Sequence, residues 1–588
     1  MFSTSACIVG NTHEVEVSGS CTFVELSNIV VKRHFMIRTI NRTIRWSIYV
    51  VLALGIVSCA HRHEPADLVV HNAFIQTLDA NQSTYEAMAI RDGKVIELGP
   101  ERQILNKYQP EQLLDAGKRP IYPGFIDAHC HFLGFGKSLQ QVDLVGTASF
   151  EEVVEKVKAK APELVDDWIQ GRGWDQNDWE VKEYPTNQGL NELFPDRPVL
   201  LRRVDGHAAL ANSVALDLAG IVPGQEIDGG EILMNNGELT GVLIDNAVDL
   251  VTSVIPDPTK DMMEEALLDA QAECFQVGLT TVDDAGLDVD EIELIDSLQQ
   301  AGVLKMRVYA MVSDKPENYD HFLHSGPTKT DRLNVRSFKL YADGALGSRG
   351  ACLLSPYADI IHEDYSGFLL DSISHYRKVC ADLFDAGFQV NTHCIGDSAN
   401  RVMLDLYGEI LGGSNDYRWR IEHAQVVHKA DIGKFADYTI IPSVQPTHAT
   451  SDMYWAEQRL GRNRIRRAYA YQELRQQLGL VALGTDFPIE GINPLNTFYA
   501  ATVRKDVEGY PEGGFNPENR LTREQALLGM TLWAAMSNFE EDEKGTIEVG
   551  KWADFVVLSQ NLLTAPDDKI LTSKVLHTVV HGELVYSR

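Results

Sequence analysis

Positive charge is in short supply: 52 lysines and arginines stand against 84 aspartates and glutamates, a formal net charge of −32 over 588 residues. Such a surface repels phosphate backbones and anionic headgroups, which excludes nucleic acid as an expected partner. No run of lysine or arginine offsets this, and no Gly-x-x-x-x-Gly-Lys loop is present to cradle a nucleotide. Cysteine is also scarce. Of eight, five (Cys130, Cys274, Cys352, Cys380 and Cys394) follow Cys59 at irregular spacing. An odd, irregular set is no disulfide framework, and most of these lie in apolar runs as small core residues. There is no internal repeat and no low-complexity tract. The strongest apolar run, Trp46 to Val57, is too short to span a bilayer comfortably.

What remains is 44% hydrophobic and 23% charged, the composition of a globular protein with a large buried core. The apolar run follows Arg38, Arg42 and Arg45 and reads as an export signal. It ends in Ile56-Val57-Ser58-Cys59, which resembles the lipobox of bacterial lipoproteins. That resemblance implies cleavage before Cys59 and a lipid on its thiol, the chain's one expected attachment to a membrane. Ala60 after the cysteine implies the outer membrane, with the protein facing the periplasm. A signal belongs at the extreme N-terminus, so Met36 is the expected start and residues 1–35 an over-extended reading frame. Residues 1–58 are thus set apart from the fold.

The rest divides by pattern. Asp67 to Leu78 and Ala87 to Leu98 are β-rich, with a tight turn at Asp92-Gly93, and Gly550 to Leu558 and Val575 to Val585 are the same kind of text. Residues 59–122 and 541–588 are therefore expected to build one composite β-sandwich from both ends of the chain. Between them, 123–540 alternates apolar β-type runs with amphipathic helical runs, the pattern of a parallel α/β fold. Strands are expected at Ile121 to Asp127, Leu279 to Asp283, Met306 to Met311, Ser337 to Ala342, Phe388 to Thr392, Trp419 to Glu422, Ile440 to Val444 and Val481 to Gly484. Eight strands suggest a closed (β/α)8 TIM-like barrel. The long gap after the first reads as an inserted capping subdomain, 139–255. Its Trp168, Trp174 and Trp179 suit either an apolar substituent of a substrate or ordinary core packing.

In such a barrel the side chains at the C-terminal ends of strands converge on one mouth. His129 and His131 lie two apart on an extended segment and so point the same way. Lys339 falls in strand four, His393 ends strand five, His423 ends strand six and Asp486 ends strand eight. Imidazoles and carboxylates in this number suit zinc or a similar divalent ion. Each taken singly has a bland reading as a satisfied structural residue. The ordered set is hard to reconcile with six accidents.

These residues sit in Pro123-Gly-Phe-Ile-Asp-Ala-His-Cys-His131, Phe338-Lys-Leu-Tyr-Ala-Asp-Gly-Ala-Leu-Gly-Ser348, Thr392-His-Cys-Ile-Gly-Asp397, Ile421-Glu-His-Ala-Gln425 and Gly484-Thr-Asp-Phe-Pro488. From about residue 64 onward the chain resembles the amidohydrolase superfamily, and within it the amidohydrolase family 3 branch that includes enzymes similar to N-substituted formamide deformylase. The resemblance implies a hydrolase acting on carbon–nitrogen bonds other than peptide bonds, with two divalent ions, zinc foremost. His129, His131 and Asp486 would hold one ion and His393 and His423 the other, with Lys339 carboxylated by CO2 to bridge them. Asp486 would also serve as general base. His207, in Asp205-Gly-His-Ala-Ala-Leu-Ala-Asn212, matches a phrase of the branch and would reach the substrate, a small amide-type molecule. Asp127 and Asp343 are either supports behind the ligands or structural. Two rivals stand beside this reading: a deaminase of the same fold, which would want a glutamate where Gly396 stands, and a non-catalytic ligand-binding lipoprotein.

Overall fold

The computed structural model describes residues 63–164, 166–203, 208–227, 230–360 and 364–588. The export signal, Cys59 and His207 lie outside the described residues.

Eight parallel strands form the barrel: β1 (Phe125–Cys130), β2 (Leu279–Leu287), β3 (Arg307–Ser313), β4 (Leu333–Tyr341), β5 (Gln389–Cys394), β6 (Arg420–His423), β7 (Ile441–Val444) and β8 (Ala482–Leu483). They pair in sequence order, with Val282 opposite Asp127, Lys339 opposite Asn391 and His393 opposite Glu422 among the registers. No ladder joins β8 to β1. The chain just beyond β8 closes the ring instead: Asp486 donates its N–H to the His129 carbonyl (2.8 Å) and His131 donates to the Phe487 carbonyl (2.8 Å). Below them Thr485 donates its N–H to Asp127 Oδ1 (2.9 Å) and its hydroxyl to Oδ2 (2.7 Å). Asp127 is therefore the staple of the barrel seam. Burial pushes its carboxyl up to about 7 against those bonds.

Every strand expected in the barrel is found, with one correction. Ile121 to Asp127 is not a single strand. Pro120–Pro123 pairs with Phe555–Leu558 in the terminal sheet, and β1 starts afresh at Phe125. Gly124 is the break, and it has no room for a side chain: a Cβ there would lie 2.2 Å from the Thr280 hydroxyl. The apolar run continues unbroken through this point, so hydrophobicity does not mark it.

The helices that clothe the barrel follow from simple periodicity. Ile373–Asp385 is capped by the Ser372 hydroxyl, which accepts from His375 N–H (3.1 Å), and it buries Tyr376, Val379, Cys380 and Leu383, one face at three- and four-residue steps. Asp397–Leu411 stops at Gly412, whose φ of 71° is the left-handed conformation that ends a helix without strain.

The terminal pieces make two sheets. One orders Lys94–Gly99, Ala87–Arg91, Glu64–His71 and Tyr108–Asp115; the other orders Glu583–Ser587, Val575–Val580, Phe555–Leu558, Pro120–Pro123, Phe74–Gln76 and Thr84–Tyr85. Val70, Met88, Ile90 and Val95 of the first pack with Ile121, Phe555, Val557 and Val579 of the second in one apolar core. The turn between Ala87–Arg91 and Lys94–Gly99 has positive φ at both Asp92 (52°) and Gly93 (71°), the hairpin geometry that matches strand twist. Between β1 and β2 stands a separate six-stranded sheet, from Val142–Asp143 through Gly230–Asn235. Trp174 and Trp179 are buried in one of its cores and Trp168 in the other, so these tryptophans are packing residues.

Candidate metal centre

The mouth of the barrel gathers the imidazoles. His129, next to last in β1, is fully buried, and its Nδ1 lies 2.6 Å from Glu422 Oε2 on β6, which turns Nε2 toward the centre. Burial, with Lys339 beside it, drives the His129 pKa well below the usual histidine value, so the ring is neutral and Nε2 carries a lone pair. His423 is oriented the same way: its Nδ1 lies 2.7 Å from Gln445 Oε1, and burial and the neighbouring His393 hold it neutral. His393, on β5, is lowered to about 3 by burial and then by Lys339. The His393 and His423 rings are 4.5 Å apart and the His129 and His423 rings 4.8 Å apart.

Asp486 faces them from beyond β8. Its Oδ1 lies 3.3 Å from His131 Nε2 and 3.8 Å from His129 Nε2, and its Oδ2 lies 3.5 Å from His448 Nε2. Burial would raise its pKa, but His131, His423 and His448 around it win and hold the carboxyl far below the usual range. Lys339, buried on β4, places Nζ 3.0 Å from His129 Nε2 and 4.7 Å from the Tyr341 ring centre.

Two overlapping sets of ligand atoms result among the described residues, each within 4.8 Å of one another: His129, His131 and Asp486, and His423, His448 and Asp486. His129, His131, Lys339, His393, His423 and Asp486 are thus brought to one place. His448 was not singled out in the sequence. It lies three residues past the Gln445 that follows β7, and the strand-end rule extended to Gln445-Pro-Thr-His448 would have found it. Glu422, quoted as part of a motif, carries the orienting role toward His129. Asp343 serves structure: its carboxylate accepts the N–H groups of Cys352 (2.8 Å), Ile395 (2.9 Å) and Gly396 (2.8 Å), anchoring the loops after β4 and β5.

The donor set fits divalent metal. Four buried atoms here, His393 Nε2, His448 Nε2, Asp486 Oδ1 and Glu422 Oε1, have no hydrogen-bond partner, against the rule that buried polar groups are paired. Asp486 Oδ1 is close to His131 but not aligned for a hydrogen bond. His423, Ala424 and Asp486 have φ of 69°, 41° and 66°, left-handed values that cost a non-glycine residue about 1–2 kcal/mol. Strain and unpaired nitrogens at one spot suit a ligand set shaped for a cation.

A cavity of about 370 Å³ opens onto this cluster, lined also by Tyr341, Leu346, Ile395, Trp455 and Ile489, and by the polar Gln425, Asp452 and Glu490. None of its lining residues, among those described, comes from the inserted sheet; the loop after β4, His448 and Asp452 of the helix Pro446–Asp452, and Trp455 just beyond that helix supply much of the wall.

The family model described as "Amidohydrolase family" matches residues 112–586. The chain is 32% identical to Protein LONG AFTER FAR-RED 3 of Arabidopsis thaliana over 89% of its length and 92% of the relative. It is 27% identical to N-substituted formamide deformylase of Arthrobacter pascens, covering 89% of this chain and 98% of that one. Among solved structures, an uncharacterised metal-dependent hydrolase from Pyrococcus horikoshii superposes with a TM-score of 0.72 at 27% identity, over 85% of this chain and 99% of that chain.

Proposed function

The chain belongs to the amidohydrolase family as a metal-dependent hydrolase of carbon–nitrogen bonds, and on that premise we propose that it cleaves the amide or formamide bond of a small molecule with a two-metal centre. The observation that carries this reading is the pair of ligand sets sharing Asp486, with Lys339 between the imidazoles.

His129, His131 and Asp486 would hold one ion, and His423 the second, with His393 and His448 both near enough to complete it. Zinc suits imidazole and carboxylate donors best. Bound there, the ions supply Lewis acidity toward the scissile carbonyl and a water acidified toward neutrality. An ammonium at Lys339 would repel two cations, so Lys339 takes up CO2 and presents an anionic carbamate. Glu422 and Gln445 hold the His129 and His423 rings at fixed angles. Asp486, ionised across the neutral range, accepts the proton of the attacking water and returns it to the departing nitrogen. A deaminase glutamate has no place at Gly396, where a Cβ would lie 2.0 Å from the Cys352 carbonyl oxygen.

The test is metal analysis together with turnover of a panel of N-formyl and N-acyl amines. Close to two divalent ions per chain and hydrolysis of at least one panel member are expected; one ion with ammonia release from a nucleobase would overturn the reading. We also propose that the enzyme is exported and lipid-anchored through Cys59. Cys59→Ser should move it from the membrane to the soluble fraction of a fractionated cell.

A further inference from the structure

The cavity beside the metal centre is one-sided in charge. Apart from the ligand histidines, its only cationic lining residue among those described is Lys339, which belongs to the centre, and no arginine faces it. Arg459, behind the wall, sits 5.8 Å from the Trp455 ring centre and is engaged by Asp359 and the Gly347 carbonyl. Two carboxylates that are not part of the ligand sets, Asp452 and Glu490, do line it. Glu490 Oε1 accepts from the Ser451 hydroxyl (2.6 Å). Asp452 is the more firmly placed. Its Oδ2 accepts from Gln425 Nε2 (3.0 Å) and from the Tyr469 hydroxyl (2.8 Å), and Gln425 is itself bonded to that hydroxyl (2.8 Å).

Both bonds go to one oxygen. That leaves Oδ1 as the other acceptor of Asp452, a residue that lines the cavity. The rest of the lining includes the apolar and aromatic side chains of Trp455, Leu346, Ile395 and Tyr341. An anion entering here would meet Asp452 and Glu490 with no guanidinium to receive it, which disfavours substrates such as N-acyl amino acids. A cation would find a carboxylate held by two hydrogen bonds in a cavity with apolar and aromatic walls.

We propose that the substrate is an amide whose far end is an ammonium or another strong hydrogen-bond donor, and that Asp452 is the residue that reads it. This rests on the amide-hydrolase reading above. Substrate selection then lies in the barrel's own loops, on the helix Pro446–Asp452 that also carries His448.

Three amides with the same four-methylene spacer test it on the metal-loaded enzyme: N-formylputrescine, N-formylpentylamine and N-formyl-5-aminopentanoate. The wild type should prefer them in that order in kcat/KM. Asp452→Asn should cut the ratio between the first two about 10-fold to 100-fold, chiefly through KM, as expected for loss of a charge-assisted hydrogen bond. Glu490→Gln should cut it less. If Asp452 merely braces Gln425 and Tyr469, the variant will lower the melting temperature and all three rates together and leave the ratio intact, which overturns the proposal. So would a wild-type preference for the carboxylate, a result that does not depend on the variant folding. If none of the three is hydrolysed, the amide reading fails for these compounds, and the same three are titrated as ligands by calorimetry. The same order and the same loss in Kd would then still be required.

Discussion

Arg307 at the base of the barrel and Asp486 at its mouth are both buried, yet their surroundings are opposites. Every arm of Arg307 is used: Nε to Asp554 Oδ2 (2.6 Å), Nη2 to Asp554 Oδ1 (3.1 Å) and Nη1 to the Asp331 carbonyl. Asp554, just ahead of the terminal-sheet strand Phe555–Leu558, also accepts the His581 N–H (2.7 Å), so this pair rivets the terminal sheet to β3. Asp486 sits on strained backbone with an oxygen that has no hydrogen bond, among imidazoles whose free nitrogens point inward. The Arg307–Asp554 pair at the base is satisfied for stability; Asp486 and the imidazoles at the mouth are left unsatisfied for chemistry.

Substitutions at the two ends should separate activity from stability. Asp486→Asn should lower kcat/KM about 10²-fold to 10⁴-fold, the usual range for a lost general base, while the melting temperature holds or rises. Loss of fold alongside activity would break the contrast. Asp554→Ala should do the reverse, destabilising by about 3–5 kcal/mol in urea titrations because it strands the buried Arg307, with activity per folded molecule retained. Glu422→Gln lies between the two ends. It removes the carboxylate that orients His129 and should weaken metal affinity about 10-fold to 100-fold, read by competition with a chelator. The smallest effect concerns acid. Burial opposes ionisation of Asp554, but Arg307 outweighs it and holds the Asp554 pKa below its ordinary value. Its contribution to stability is therefore complete above the unfolded aspartate value of about 3.9 and fades as pH falls through the lowered folded value. Asp554→Asn should flatten that acid limb of a melting-temperature profile and leave the limb above neutrality unchanged.

The sequence told more about the mouth than about what lies around it. Histidines after β-rich runs, in barrel order, were enough to assemble the centre, because strand ends converge whatever the intervening chain does. The break at Gly124 was invisible, since the residues on both sides are apolar and buried and only the Thr280 contact distinguishes them. His448 escaped because it sits on a short helix three residues beyond Gln445 and not at the strand end itself. The three tryptophans of the insertion fit two readings until their burial was known. Asp452 had no signal at all: an acidic residue near the end of a polar stretch acquires meaning only when Gln425 and Tyr469, distant in sequence, are found holding it.

The strand Pro120–Pro123 has a partner in Phe555–Leu558, and the Tyr122 hydroxyl donates to Asn561 across 439 residues of chain. During synthesis, then, the segment that leads into β1 leaves the ribosome long before its neighbour exists. A long-range pairing of this kind is slow to form and leaves an apolar edge open while the barrel is being made. Completion of the fold is a late event, and a ribosome stalled before residue 555 would release a chain with that edge bare, a natural target for chaperones.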